Sequence, residues 1–430
     1  MGKVISYIFL GCVVSSYLFS ANISYLPDSL STKVFTAVLG FAFLIFDFIN
    51  KKSIVISKGF LISNIIAIIF SIICYISTDL NNTIDYSYAS YIVSFIIWYF
   101  GAYAVCKLLN IIHGEANLRI LTYYCAAVCF SQCIIALLID NIPIVKFVVD
   151  MVFYKGNAYY DSIDRLYGIG AALDPAGVRF AITLVLIAAV LSKDAVVRKN
   201  KNAIILLLIS FFTIVVVGNM ISRTTIVGLL GACAYFLLDS GLFNFYLKKD
   251  AKKFRIYFSV TLLFAIGIST FLYNTNESFY EQMRFAFEGF FNWVEHGEWR
   301  TDSTDKLSNE MWIWPEDQKT WLIGSGLFDN FIYSTDIGYC RFILYCGLIG
   351  FSCFAFLFIF NSLLFTQRHP YYWLLFIILL GLTFIIWFKV ATDIFFIYAL
   401  FFCLDSFKGN TQESENSNTH ENRILHTRYI

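Results

Sequence analysis

The sequence predicts an all-α, polytopic integral membrane protein with about twelve transmembrane helices. Three observations carry that expectation. Only 14% of the 430 residues are charged and 59% are hydrophobic, whereas soluble domains average about 25% and 45–50%. Apolar runs recur along almost the whole chain, and a run of about 20 residues is what a helix needs to cross the hydrocarbon layer. No ten-residue alternating pattern marks a barrel strand, so the runs must be helices, because unpaired backbone in lipid is too costly. The net charge of +1 gives no case for nucleic acid as a partner, and five prolines leave no room for Pro-rich linkers.

The apolar runs fall at about 4–20, 33–49, 56–76, 86–108, 118–139, 176–192, 202–218, 223–240, 255–273, 337–365, 371–388 and 392–407. The first opens on Met1-Gly2-Lys3 and contains Phe9-Leu10-Gly11-Cys12. It reads as an uncleaved helix rather than a lipid anchor, since a chain with many spans needs none. All eleven cysteines lie within apolar runs, Cys340 near the edge of its own, with no CxxC or Cys/His metal spacing. They read as buried hydrophobes, and no metal or cofactor is expected.

Lysine and arginine placement sets the expected orientation. With the N-terminus inside, the short inside loops carry Lys51, Lys52 and Lys58, then Lys107 and Arg119, then Lys193, Arg198, Lys199 and Lys201, then the Lys248–Lys253 cluster. The outside turn Ser77–Tyr86 carries none. Both termini are then cytoplasmic. Residues 1–408 form one membrane unit, and the polar stretch 409–430 reads as a disordered cytoplasmic tail.

Two outside loops are long, at about 140–176 and 274–336. The second holds Trp293, Trp299, Trp312, Trp314 and Trp321 and opens with an amphipathic stretch, Phe279, Met283, Phe287 and Phe290. That pattern suits the membrane interface. Polar mass on one face points to chemistry at the membrane surface. The outside cations include Arg165, Arg179, Arg223, Arg284, Arg300 and Arg341, on the side where positive charge is normally scarce. A guanidinium fork suits phosphate oxygens; snorkelling to water is the alternative for each. Asp174 and Pro175 suit the start of a span. If the chain is helical from Asp336, then Tyr339 and Cys340 share its face, although Asp336 could equally cap that helix.

Arg165-x-x-Gly168 followed by Pro175, Ser222-Arg223-Thr224, and Gly324-Ser-Gly326 … Thr335-Asp336-Ile-Gly-Tyr339 … Gly347-Leu-Ile-Gly350 together resemble the O-antigen and capsular polysaccharide polymerases over most of the chain. The related O-antigen ligases carry His-Asn where this chain has Thr335-Asp336, which disfavours that alternative. The resemblance implies a metal-independent, inverting membrane glycosyltransferase of GT-C type in the bacterial inner membrane, serving polysaccharide or lipopolysaccharide biosynthesis. Donor and acceptor are glycan repeat units on undecaprenyl diphosphate, with membrane lipid around them. A chain-length regulator and a flippase are the implied protein partners.

On this reading Arg165, Arg179, Arg223 and Arg341 hold the departing diphosphate. Asp336 is the catalytic base, with Asp174 second. Asp174, Tyr339 and Arg284 are further substrate contacts. A lipid-linked oligosaccharide flippase is the non-enzyme alternative, but it would place its charges in a midplane cavity between similar halves.

Overall fold

The computed structural model describes residues 2–27, 29–52, 56–153, 165–239, 249–328 and 333–407. The stretch from Lys408 onward and Lys248 of the Lys248–Lys253 cluster lie outside what it describes. Among the described residues there is no strand, only one bridge between Asn22 and Ser31.

Each apolar run is helical. In chain order the helices are α1 (Gly2–Leu18), α2 (Thr32–Lys51), α3 (Lys58–Leu80), α4 (Tyr91–His113), α5 (Leu118–Asn141), α6 (Pro143–Phe153), α7 (Leu173–Lys193), α8 (Ala195–Lys199) and α9 (Lys201–Ile221). There follow α10 (Thr225–Asp239), α11 (Lys249–Thr275), α12 (Glu277–Ala286), α13 (Glu288–His296), α14 (Asp302–Glu310), α15 (Gln318–Ile323), α16 (Gly338–Arg368), α17 (Trp373–Ile386) and α18 (Phe395–Phe407). Eight of the described helices are long and apolar enough to cross a membrane, and α1, α10, α17 and α18 are shorter apolar helices. The chain is a polytopic, all-helical membrane protein.

The described parts of the two long loops are more ordered than their polarity suggests. The segment Pro143–Phe153, expected within the first loop, is an apolar helix. The second loop folds into α12 to α15, each started by a side-chain cap except α13: Asn276 accepts from Phe279 N, Thr301 from Thr304 N and Asp317 from Thr320 N.

The centre of the bundle is α7. Its best 18-residue window is 89% buried, against 0% for that of α11, which flanks the bundle. A helix apolar all round belongs inside, and α7 is also small enough to be packed closely. Gly228 of α10 lies so near that a Cβ there would sit 2.1 Å from Ala181 Cα. Small residues at such a crossing let two membrane helices touch along their backbones. Helix α16 is broken at Gly347, whose φ of 65° is open to glycine and strained for other residues.

The long connections meet at one end of the bundle. Ser278 donates to Asp140 (2.6 Å) and Asn276 to Asn141 (3.2 Å). Asn81 donates to Gly324 O (2.9 Å), Thr83 to Gly326 O (2.8 Å), and Phe328 N to Asp85 (2.6 Å). This is called the loop end below. The opposite end is tied by Lys107–Asp47 (2.6 Å), Lys193–Asp239 (2.9 Å) and His369–Asp405 (2.8 Å). The basic residues assigned there as orientation signals are thus partly neutralised.

Candidate functional site

Three of the singled-out arginines converge at the loop end. Arg165 precedes α7, Arg223 sits in the turn between α9 and α10, and Arg284 lies on α12. The guanidinium carbons of Arg165 and Arg223 each lie 3.9 Å from the centroid of Phe285. Each such contact contributes about 0.5–2 kcal/mol, so a single ring gathers two like charges. With Arg284 they line a cavity of about 410 Å³ that also includes Glu288, Phe291, Asn292, Asp302 and Ser303. Arg223 donates to Ser303 (2.6 Å) and pairs with Glu288 (2.6 Å), while its buried Nε has no hydrogen-bond partner. Arg284 makes a two-pronged pair with Glu295, at 2.9 Å for one prong. These carboxylates orient the guanidinium forks and limit the cost of gathering cations away from water.

Beside this pocket runs an apolar groove of about 540 Å³ between α9, α10 and α11. Its walls include Phe212, Val216, Leu229, Phe258, Leu262 and Ala265, and Tyr273, Met283 and Phe291 close its head. Phe291 lines both spaces. Its ring stacks on Tyr273 at 5.9 Å and carries Arg284 at 4.6 Å on the way to the pocket. Residues Ile214–Gly218 of α9 form a π turn, and two of them, Val215 and Val216, face the groove. Such turns recur at functional sites because they re-aim side chains within a helix. The amphipathic stretch expected at the interface is docked here: Phe279 is buried, and Met283 and Phe287 pack on the core.

Asp174 holds the turn that presents Arg223. Its Oδ1 accepts from Ser222 Oγ (3.0 Å), Thr224 Oγ1 (2.5 Å) and Lys389 Nζ (2.9 Å). All three bonds fall on one carboxylate oxygen, and together they fix the turn that carries Arg223. Lys389 was not singled out in the sequence. The available signal is a lone lysine between two apolar runs on the side assigned outside, where short connections otherwise carry little charge.

The remaining candidates are placed apart. Arg179 donates to Leu18 O (2.9 Å) and Pro175 O (2.6 Å), with its guanidinium 5.0 Å from the ring of Phe396. Arg341 donates to Phe328 O (2.8 Å) and lies 4.1 Å from the Phe328 ring. Tyr339 donates to Phe384 O (2.9 Å). Asp336 is exposed. It sits two residues ahead of α16, so it does not share a helical face with Tyr339 and Cys340. Nor is it the cap, because Thr335 Oγ1 accepts from Ile337 N (3.2 Å) and ties the turn to Met311 O (2.6 Å). The four arginines expected to share a diphosphate therefore divide: Arg165 and Arg223 join Arg284, while Arg179 and Arg341 stand elsewhere. Trp314 and Trp321 stack on each other at 5.6 Å.

No protein-family model, characterised protein or solved structure matches this chain.

Proposed function

We propose that the protein is a polysaccharide polymerase that joins lipid-linked repeat units at its loop end. The observation that carries this reading is the single wall, Phe291, between a three-arginine pocket and a long apolar groove. A ligand suited to both has an anionic head and an extended apolar tail, which describes a glycan on undecaprenyl diphosphate. In the reaction the acceptor's terminal hydroxyl attacks the donor's anomeric carbon, and the bond to diphosphate breaks with its electron pair leaving on oxygen. Charge grows on the departing diphosphate, and Arg165, Arg223 and Arg284 stand where fixed donors stabilise it most. Inversion follows from a single displacement. The loop end faces the periplasm on this reading, and both termini are cytoplasmic.

The glycan ladder of a deletion strain tests the reaction. It retains one repeat on its acceptor and regains long chains on complementation; loss of that single repeat as well points to a flippase instead. The orientation is tested by alkaline phosphatase fused into 302–310, which is active only when that segment is outside. An inactive fusion there, with active fusions in the Lys193–Lys201 connection, removes the proposed venue.

A further inference from the structure

The arginine pocket is lined by hydrogen-bond acceptors as well as donors. Two carboxylates belong to its lining, Glu288 and Asp302, together with Asn292 and Ser303. The two carboxylates are differently engaged. Glu288 pairs with Arg223 through Oε2 (2.6 Å) and accepts the Asp302 backbone N–H through Oε1 (2.8 Å). The Asp302 carboxylate makes no hydrogen bond or salt bridge among the described residues, and Asp302 is exposed.

Its backbone is nevertheless held from several directions. Thr301 caps α14 by accepting from Thr304 N (3.1 Å), so Asp302 opens that helix. Asn292 of α13 donates to Arg300 O (2.8 Å), Glu288 takes the Asp302 N–H, and Arg223 donates to Ser303 Oγ (2.6 Å). The contacts that orient the Arg223 fork therefore also fix the stretch that carries Asp302. Exposed and yet part of the lining, the side chain stands at the rim of the pocket, where a second substrate arrives from outside.

A diphosphate has use for the arginines but is repelled by a carboxylate. An open carboxylate in this cavity suits an uncharged donor instead, and a sugar hydroxyl is one. The cavity of about 410 Å³ falls within the usual size of small-molecule sites, about 300–1,000 Å³. Building on the polymerase reading, we infer that Asp302 is the catalytic base for the acceptor's attacking hydroxyl. As the acceptor oxygen bonds to the anomeric carbon, its proton passes to the Asp302 carboxylate. The electron pair of the broken C–O bond leaves on the diphosphate, beside Arg165, Arg223 and Arg284. The role expected of Asp336, which does not line the cavity, passes to Asp302.

The test uses full-length protein, lipid-linked repeat units and, separately, binding of undecaprenyl diphosphate. Asp302→Asn lowers kcat for joining by roughly 10²–10⁴-fold with the acceptor KM little changed. It binds undecaprenyl diphosphate at least as well as the wild type, because a repelling charge is gone. Sodium formate restores part of the rate to Asp302→Ala by taking the proton in its place, and it does not accelerate the wild type. Asp305→Asn, on the same helix but outside the cavity lining, joins at the wild-type rate. Asp302→Asn joining at the wild-type rate overturns the inference. So does a defect confined to KM, which marks a sugar contact and no proton transfer. A loss that formate does not relieve, or that Asp305→Asn shares, marks a structural role and overturns it too. In each of these cases the wild-type protein still joins repeat units, and only the assignment of Asp302 falls. A wild-type protein that joins none removes the polymerase reading itself, and this inference with it.

Discussion

Arg223→Ala leaves cells with single-repeat glycans in place of long chains, at normal protein levels. Removing one preorganised donor to a developing negative charge costs about 10²–10³-fold in rate, enough to erase a polymer ladder. Arg223 is the most exposed of the three to this test because its position is over-determined. Asp174 and Thr224 fix its turn, Ser303 and Glu288 hold its fork, and Phe285 supports its face. Arg223→Lys keeps the charge and loses the fork, so it yields short chains of intermediate length. Alanine and wild type giving the same ladder removes the arginine pocket from the reaction.

Ala265→Trp raises the KM for the natural donor while leaving a donor with a ten-carbon tail almost unaffected. Ala265 lines the groove about 12 Å below Tyr273, given eight residues at 1.5 Å each, so only a long tail reaches it. Displacing two or three methylenes at about 0.8 kcal/mol each weakens binding by roughly 30-fold. Equal loss with both donors means that the substitution has damaged the bundle and that the groove is not the tail site.

The helical architecture was readable because hydrophobic runs of membrane length have few alternative fates. The eleven residues Pro143–Phe153 are too few to span a membrane, so their apolar composition alone does not separate a helix from a loop. The joint role of Arg165 and Arg223 could be read as a surplus of arginine on one side. The ring that assembles them could not: Phe285 is one phenylalanine among 46, and nothing local marks it. Asp336 stands out in the sequence through its place beside a span, yet the chain is not helical there, and Thr335 ties the turn to Met311 and caps Ile337 N. Lys389 is an isolated charge whose meaning comes from non-local packing, since the Asp174 it bonds lies 215 positions earlier in the chain.

The best 18-residue window of α11 has no buried residue, and this helix forms one of the three walls of the groove. The walls formed by α9 and α10 belong to the bundle, whereas α11 is a single helix at its flank. On the polymerase reading, a polyprenyl chain then need never be lifted through water to reach its seat. It can slide in sideways from the surrounding acyl chains, and the bilayer is then as much a component of the binding site as the polypeptide.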